Sequence, residues 1–150
     1  MLPRRHIIYG FIFSILFWLL FPLTAWYNIV LIFSASFLID FDHYLTAVIK
    51  TGRLGLRPNF DYYMKLRKKY EAEKRKGIFR KGNFHLFHTI EFHALIFAIG
   101  WIFNPFLYVF TGMLFHSLLD LTDLTLRGEV YSREFLVMNW IKAKITKKFN

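Results

Sequence analysis

Residues 7–39, IIYGFIFSILFWLLFPLTAWYNIVLIFSASFLI, contain no Asp, Glu, Lys, Arg or His. A run of 33 such residues is too long for a buried strand. A bilayer crossing takes about 20 apolar helical residues, so the run reads as two short spans with a turn between them. Pro22, with Thr24 and Asn28 nearby, supplies that turn. A second run, 92–119, has no charged residue and only His93 and His116 as histidines. Gly100, Asn104 and Pro105 mark its break, because proline lacks an amide donor and disfavours helix at the residue before it. The predicted fold is all-α: one integral membrane domain over 1–150, a bundle of four short transmembrane helices in two hairpins, with spans at about 7–21, 26–40, 85–103 and 106–121.

Composition agrees with that class. The chain is 55% hydrophobic and 21% aromatic in 150 residues, more apolar than an ordinary soluble domain. A cleavable signal peptide is the weaker reading of the N-terminus, because apolar character runs past Ala25 to Ile39. The absence of cysteine excludes disulfides and thiolate ligands.

The net charge of +10 is concentrated. Twelve Lys or Arg lie between Lys50 and Lys81 against Asp61, Glu71 and Glu73, while neither apolar turn carries a charge. The positive-inside rule then places both termini and the loop from about 44 to 82 in the cytoplasm, as in the plasma (inner) membrane of a prokaryote. Asn59 is expected to cap a loop helix running to about Lys76 and closed by Gly77, with Tyr62, Tyr63, Leu66 and Tyr70 on one flank. A C-terminal helix at about 130–148 shows Tyr131, Phe135, Met138, Ile141, Ile145 and Phe149 at helical spacing. Both read as amphipathic interfacial helices. Lipids with anionic head groups are the expected partners, and topology already accounts for the basic charge without nucleic acid.

The polar exceptions gather in Asp40-Phe-Asp42-His43, His85-Leu-Phe-His88-Thr-Ile-Glu91 and His116-Ser-Leu-Leu-Asp120-Leu-Thr-Asp123, with His6 at the start of the first apolar run. Depth can be counted outward from each turn, since every helical residue rises by about 1.5 Å. From a turn at residue 104, Glu91 and His116 stand 13 and 12 residues out, His88 and Asp120 both 16, His85 and Asp123 both 19. From a turn at residue 23, His6 and Asp40 both stand 17 residues out. Spacings of three and four put His85, His88 and Glu91 on one stripe and His116, Asp120 and Asp123 on another. His93 falls away from the His88 stripe and reads as a packing or interfacial histidine.

Imidazole with carboxylate is a ligand set for zinc first, then manganese or iron(II). The candidate ligands are His6, Asp40, His43, His88, His116 and Asp120, with His85 and Asp123 as additional ones. Asp42 or Glu91 would serve as catalytic base toward a water activated by the metal. The plainer alternative is a non-catalytic membrane adaptor or lipid-binding protein whose His/Asp cluster serves packing alone. A transporter would need polar residues across the far half of the membrane, and the charges cluster at one face only.

In His6-Ile-Ile-Tyr-Gly10, Asp40-Phe-Asp42-His43, His88-Thr89 with Glu91, and Gly112-Met-Leu-Phe-His116-Ser-Leu-Leu-Asp120, the chain resembles the membrane-bound metal-dependent hydrolases, also described as inner-membrane-associated hydrolases. More distantly, His116-x-x-x-Asp120 is similar to a ligand pair of zinc-dependent phospholipases C. The resemblance implies a metal-dependent hydrolase and supplies no substrate; the site's place at the inner leaflet makes a lipid-linked ester the expected one, and the phospholipase similarity favours a phosphoester. Many members of that family carry a His-Arg pair where this chain has His85-Leu86, so no arginine for a phosphate is expected there; Arg80 or Lys81 would have to substitute.

Overall fold

The computed structural model describes residues 3–149. The secondary structure among these residues is entirely helical: α1 (Pro3–Leu20), α2 (Trp26–Leu38), α3 (Phe41–Thr51), α4 (Leu56–Arg75), α5 (Ile90–Ile102), α6 (Pro105–Leu126) and α7 (Val137–Phe149), with single 3₁₀ turns at Leu86–His88 and Val130–Ser132. Pro105 occupies the first turn of α6, where a missing amide proton costs nothing.

The all-α expectation stands; the bundle of four transmembrane helices does not. Among the described residues a single helical stretch, Trp26–Thr51, is both long and apolar enough to cross a membrane. It consists of α2 and α3 with only Ile39 and Asp40 between them. Helix α5 has 13 residues, hence about 20 Å of rise against a hydrocarbon core of about 30 Å. Helix α1 begins with Arg4, Arg5 and His6, and α6 carries Asp120 and Asp123 in its last turns, so part of each is polar. Imidazoles and carboxylates from separate segments meet at this polar end, His6 with Asp120 and His116 with Asp40.

Helix α2 lies at the centre, packed on α1 and α6, with α5 on the other side of α6 and α3 against α4. Close approach comes from small residues. A Cβ at Gly112 would strike the Ile32 carbonyl oxygen, and one at Gly10 would strike Ser36 Oγ, so glycine lets α6 and α1 reach the α2 backbone. Ala35, Ile39 and Met113 form the buried core there, with Phe87, Phe92, Ile96 and Val109 against it. Phe13 and Phe115 stack at 4.0 Å and set α1 on α6.

Two further expectations are corrected. Helix α4 starts at Leu56 with Gly55 at its N-cap, so Asn59 is not the cap. Asn59 is instead buried, and its Oδ1 accepts a 3.2 Å hydrogen bond from the Thr51 hydroxyl, tying α4 to α3. Gly77 does end the helix, at φ 75°. Tyr63, Leu66 and Tyr70, all half-buried, line an open cavity beside the His/Asp cluster. The C-terminal helix begins at Val137 rather than near 130, because a 3₁₀ turn and an extended segment come first. Trp140 is stacked on Phe84 at 4.5 Å, whereas the Phe149 side chain lies outside those described.

Candidate metal centre

Helix α2 ends in a tightened turn: the Asp40 amide donates to the Phe37 carbonyl at 3.2 Å rather than to that of Ser36. The Ser36 carbonyl, one of those left over at a helix C-terminus, accepts from His116 Nδ1 at 2.8 Å. A carbonyl only accepts, so Nδ1 carries the proton and Nε2 of the neutral ring presents its lone pair. His88 is oriented in the same way, its Nδ1 facing Asp42 Oδ2 at 3.2 Å. An acceptor behind each imidazole is the arrangement that fixes a metal-binding tautomer.

The two Nε2 atoms face each other at 3.2 Å. Asp40 Oδ1 stands 3.5 Å from His88 Nε2 and 3.4 Å from His116 Nε2. Asp120 Oδ2 stands 3.9 and 3.6 Å from the same two nitrogens. One donor atom from each of these four residues lies within 4.8 Å of the others. A tetrahedral ion with bonds of about 2.0–2.1 Å has ligand–ligand edges of about 3.3–3.4 Å, close to this spacing. The cluster is therefore able to chelate a divalent metal ion. It is deeply placed, with His116 at 0% exposure and Asp120 at 3%.

His6 is 1% exposed and stacked on His116 at 3.9 Å. Its Nε2 reaches 3.2 Å from Asp120 Oδ1, off hydrogen-bonding geometry, and neither ring nitrogen has a hydrogen-bond partner. An imidazole buried with both nitrogens unsatisfied is costly, and a cation on the neighbouring carboxylate gives it a role. The donor set and this orphaned ring both fit a metal. His43 falls in a second, overlapping group with Asp42 and His88, its Nδ1 2.9 Å from Asp42 Oδ1 and 3.4 Å from Asp40 Oδ1.

Burial works against a charged His116 ring, but the carboxylates of Asp120 and Asp40 outweigh it and push its pKa up to about 9. Burial would likewise raise Asp120, yet His116, His6 and Arg133 hold it far below the usual carboxylate range. His85 shows the opposite balance. Buried and stacked on His43 at 3.6 Å, it is driven down to about 2 by desolvation first and the neighbouring ring second. Its Nδ1 lies 3.6 Å from Asp42 Oδ1 and makes no hydrogen bond.

The two residues expected to act as base differ in position, Asp42 lying against the cluster and Glu91 away from it. Asp42 takes the Phe87 amide at 2.9 Å on Oδ2 as well as His88, and His43 on Oδ1, so its carboxylate orients imidazoles. Glu91 accepts from the Met138 amide at 3.4 Å at the start of α7 and is not in the cluster. Asp123, one helical turn beyond Asp120, pairs with Arg127 rather than joining the ligand group. His93 bonds Thr89 O at 2.9 Å and Ser117 Oγ at 3.0 Å, as expected of a packing residue.

Two participants escaped the sequence reading. The Ser36 carbonyl is a backbone atom and leaves no mark in composition. Arg133 donates to Asp120 Oδ2 at 2.7 Å, and it is one of 20 basic residues with nothing in its neighbours to single it out. A cavity of about 500 Å³ opens beside the cluster, and Asp40, His43, His85, Asp120 and Arg133 line it. A scan against family models finds no match for the chain, and comparisons with curated proteins and with solved structures find none either.

Proposed function

We propose that the protein binds a divalent metal, zinc in the first instance, through Asp40, His88, His116 and Asp120, and that the ion ties together the α2–α3 junction, the 3₁₀ turn before α5 and the end of α6. The observation that carries this reading is the pair of opposed Nε2 atoms, each backed by an acceptor on Nδ1. In this role the cluster is structural, in a lipid-binding or adaptor protein. Support for lipid comes from the opposite end of the molecule, where Leu19, Leu20, Leu23, Trp101 and Ile102 are all strongly exposed. Such a surface calls for an apolar covering. We place that end in the inner leaflet of a prokaryotic plasma membrane, with the basic loop, the termini and the metal centre on the cytoplasmic side.

The cavity favours a second reading, a metal-dependent hydrolase of a lipid-linked ester, a phosphoester in the first instance, in line with the family resemblance. A bound ion would supply Lewis acidity toward water and an ester oxygen. Asp40 and Asp120 reach the cavity from the cluster, and Asp42 and Ser36 hold the imidazoles in place from behind.

Elemental analysis of the purified chain, alongside a His116→Ala/Asp120→Ala double variant, tests the first reading. Near-stoichiometric metal in the natural chain and loss in the variant are expected. A natural chain that neither carries zinc nor takes it up on titration contradicts it. Lipase and phosphatase assays with and without chelator separate the second reading, since an adaptor is inert in both.

A further inference from the structure

Three arginines line the cavity, and two of them are committed to carboxylates outside the cluster. Arg67 pairs with Glu71 at 2.8 Å, and Arg127 with Asp123 and with Glu129. Arg133 is different, because its partner Asp120 Oδ2 is also a donor of the metal group. The guanidinium and a cation compete for the same oxygen. With a divalent ion in place, Asp40 and Asp120 face the cavity with two negative charges against two from the metal and one from Arg133. A net positive charge then meets whatever the cavity holds.

The arginine is also held where an anion could use it. Its neighbours are pinned by backbone hydrogen bonds, Gly82 N to Ser132 O at 2.7 Å and Ile90 N to Phe135 O at 2.9 Å, and the Arg133 carbonyl accepts from Lys81 Nζ at 3.1 Å. A guanidinium fixed in this way offers a planar fork suited to phosphoryl oxygens. Part of the lining is of another kind: Phe60, Met64 and Leu66 of α4 and Leu124 of α6 make an apolar wall among polar side chains such as Asn83 and Ser132. Asn59, 4% exposed, adds a buried Nδ2 donor with no hydrogen-bond partner.

We propose that the cavity takes a phosphorylated amphiphile, its phosphoryl group on Arg133 beside the metal and its apolar chain along α4, with Arg133 as the residue that selects for the anion. The proposal rests on the metal reading above and names the ligand class of that same centre.

The test uses the full chain in detergent, freed of metal and reloaded with zinc, with zinc affinity and ligand affinity measured separately by calorimetry. Probes are octyl phosphate, inorganic phosphate and octanol. The zinc-loaded natural chain should bind octyl phosphate at least tenfold more tightly than either of the others. R133Q should keep its zinc, with affinity unchanged or higher, and lose octyl phosphate affinity tenfold or more. R133K should fall between the two and carries the comparison if R133Q fails to fold. R67Q, at a pair already satisfied by Glu71, should bind octyl phosphate as the natural chain does. Octyl phosphate binding unchanged in both Arg133 variants overturns the proposal. Inorganic phosphate binding as tightly as octyl phosphate overturns its amphiphilic half. A natural chain that binds no zinc instead overturns the metal reading beneath it, so the two failures are distinguishable.

Discussion

His116 touches every part of the centre: it donates to Ser36 O, faces His88 and Asp40, and stacks on His6. Its replacement by alanine should remove the metal outright, whereas Asp42→Asn, which keeps the ligands and disturbs only the orientation of His88, should weaken zinc binding by about 10–100-fold in a competition titration. The imidazoles also dictate a pH dependence for the metal-free protein. The folded His116 value of about 9 lies above its ordinary 6.5, so its contribution is complete below about 6.5 and is lost as pH rises through 9. The folded His85 value of about 2 lies below the ordinary 6.5, so the unfolded chain gains a proton that the folded one refuses, and stability falls as pH drops below 6.5. The depressed Asp120 adds to that acid limb. Thermal melting of chelator-treated protein should therefore peak near neutrality. His85→Ala should flatten the acid limb, and zinc affinity should climb from pH 6.5 to 9 as the competing proton leaves His116.

At the level of helices, the geometry of the centre depends on how closely α6 approaches α2. Gly112→Ala drives a methyl group into the Ile32 carbonyl and should cost about 1–3 kcal/mol, seen as a lower chelator-free midpoint in denaturant. Because Met113 and His116 follow on the same helix, zinc affinity should fall with it. Much of this level was legible in the sequence. Helical rise is uniform, so counting from turns at 23 and 104 put His6, Asp40, His88 and Asp120 within one residue of the same depth, with His116 one helical turn short of it. What could not be counted was the break after Leu38. No glycine or proline marks it, and the tightened turn that turns Asp40 inward and gives His116 the Ser36 carbonyl is a tertiary outcome. The role of Asn59 was missed for a related reason: a capping residue type before a helix looks the same as one buried inside its first turns. Glu91 shared a stripe with His88 but was drawn to the amide end of α7, an element far along the chain. Hydropathy also overstated the spans, because it registers apolar length and not where a helix ends.

Across the whole molecule, an apolar end around Leu23 and Trp101 opposes a polar end in which α1, α2, α3 and α6 converge on the His/Asp cluster. A ligand that binds only the folded state stabilises it by mass action, about 2.7 kcal/mol at a hundredfold excess over its dissociation constant. Chelation should thus lower the melting temperature of the natural chain and leave His116→Ala/Asp120→Ala unmoved. The most direct measurement of the central claim is the zinc K-edge absorption spectrum of the reloaded protein. The account predicts about two imidazole nitrogens and two carboxylate oxygens at about 2.0–2.1 Å. A spectrum with no imidazole scattering, from zinc held by water or surface carboxylates alone, would contradict it.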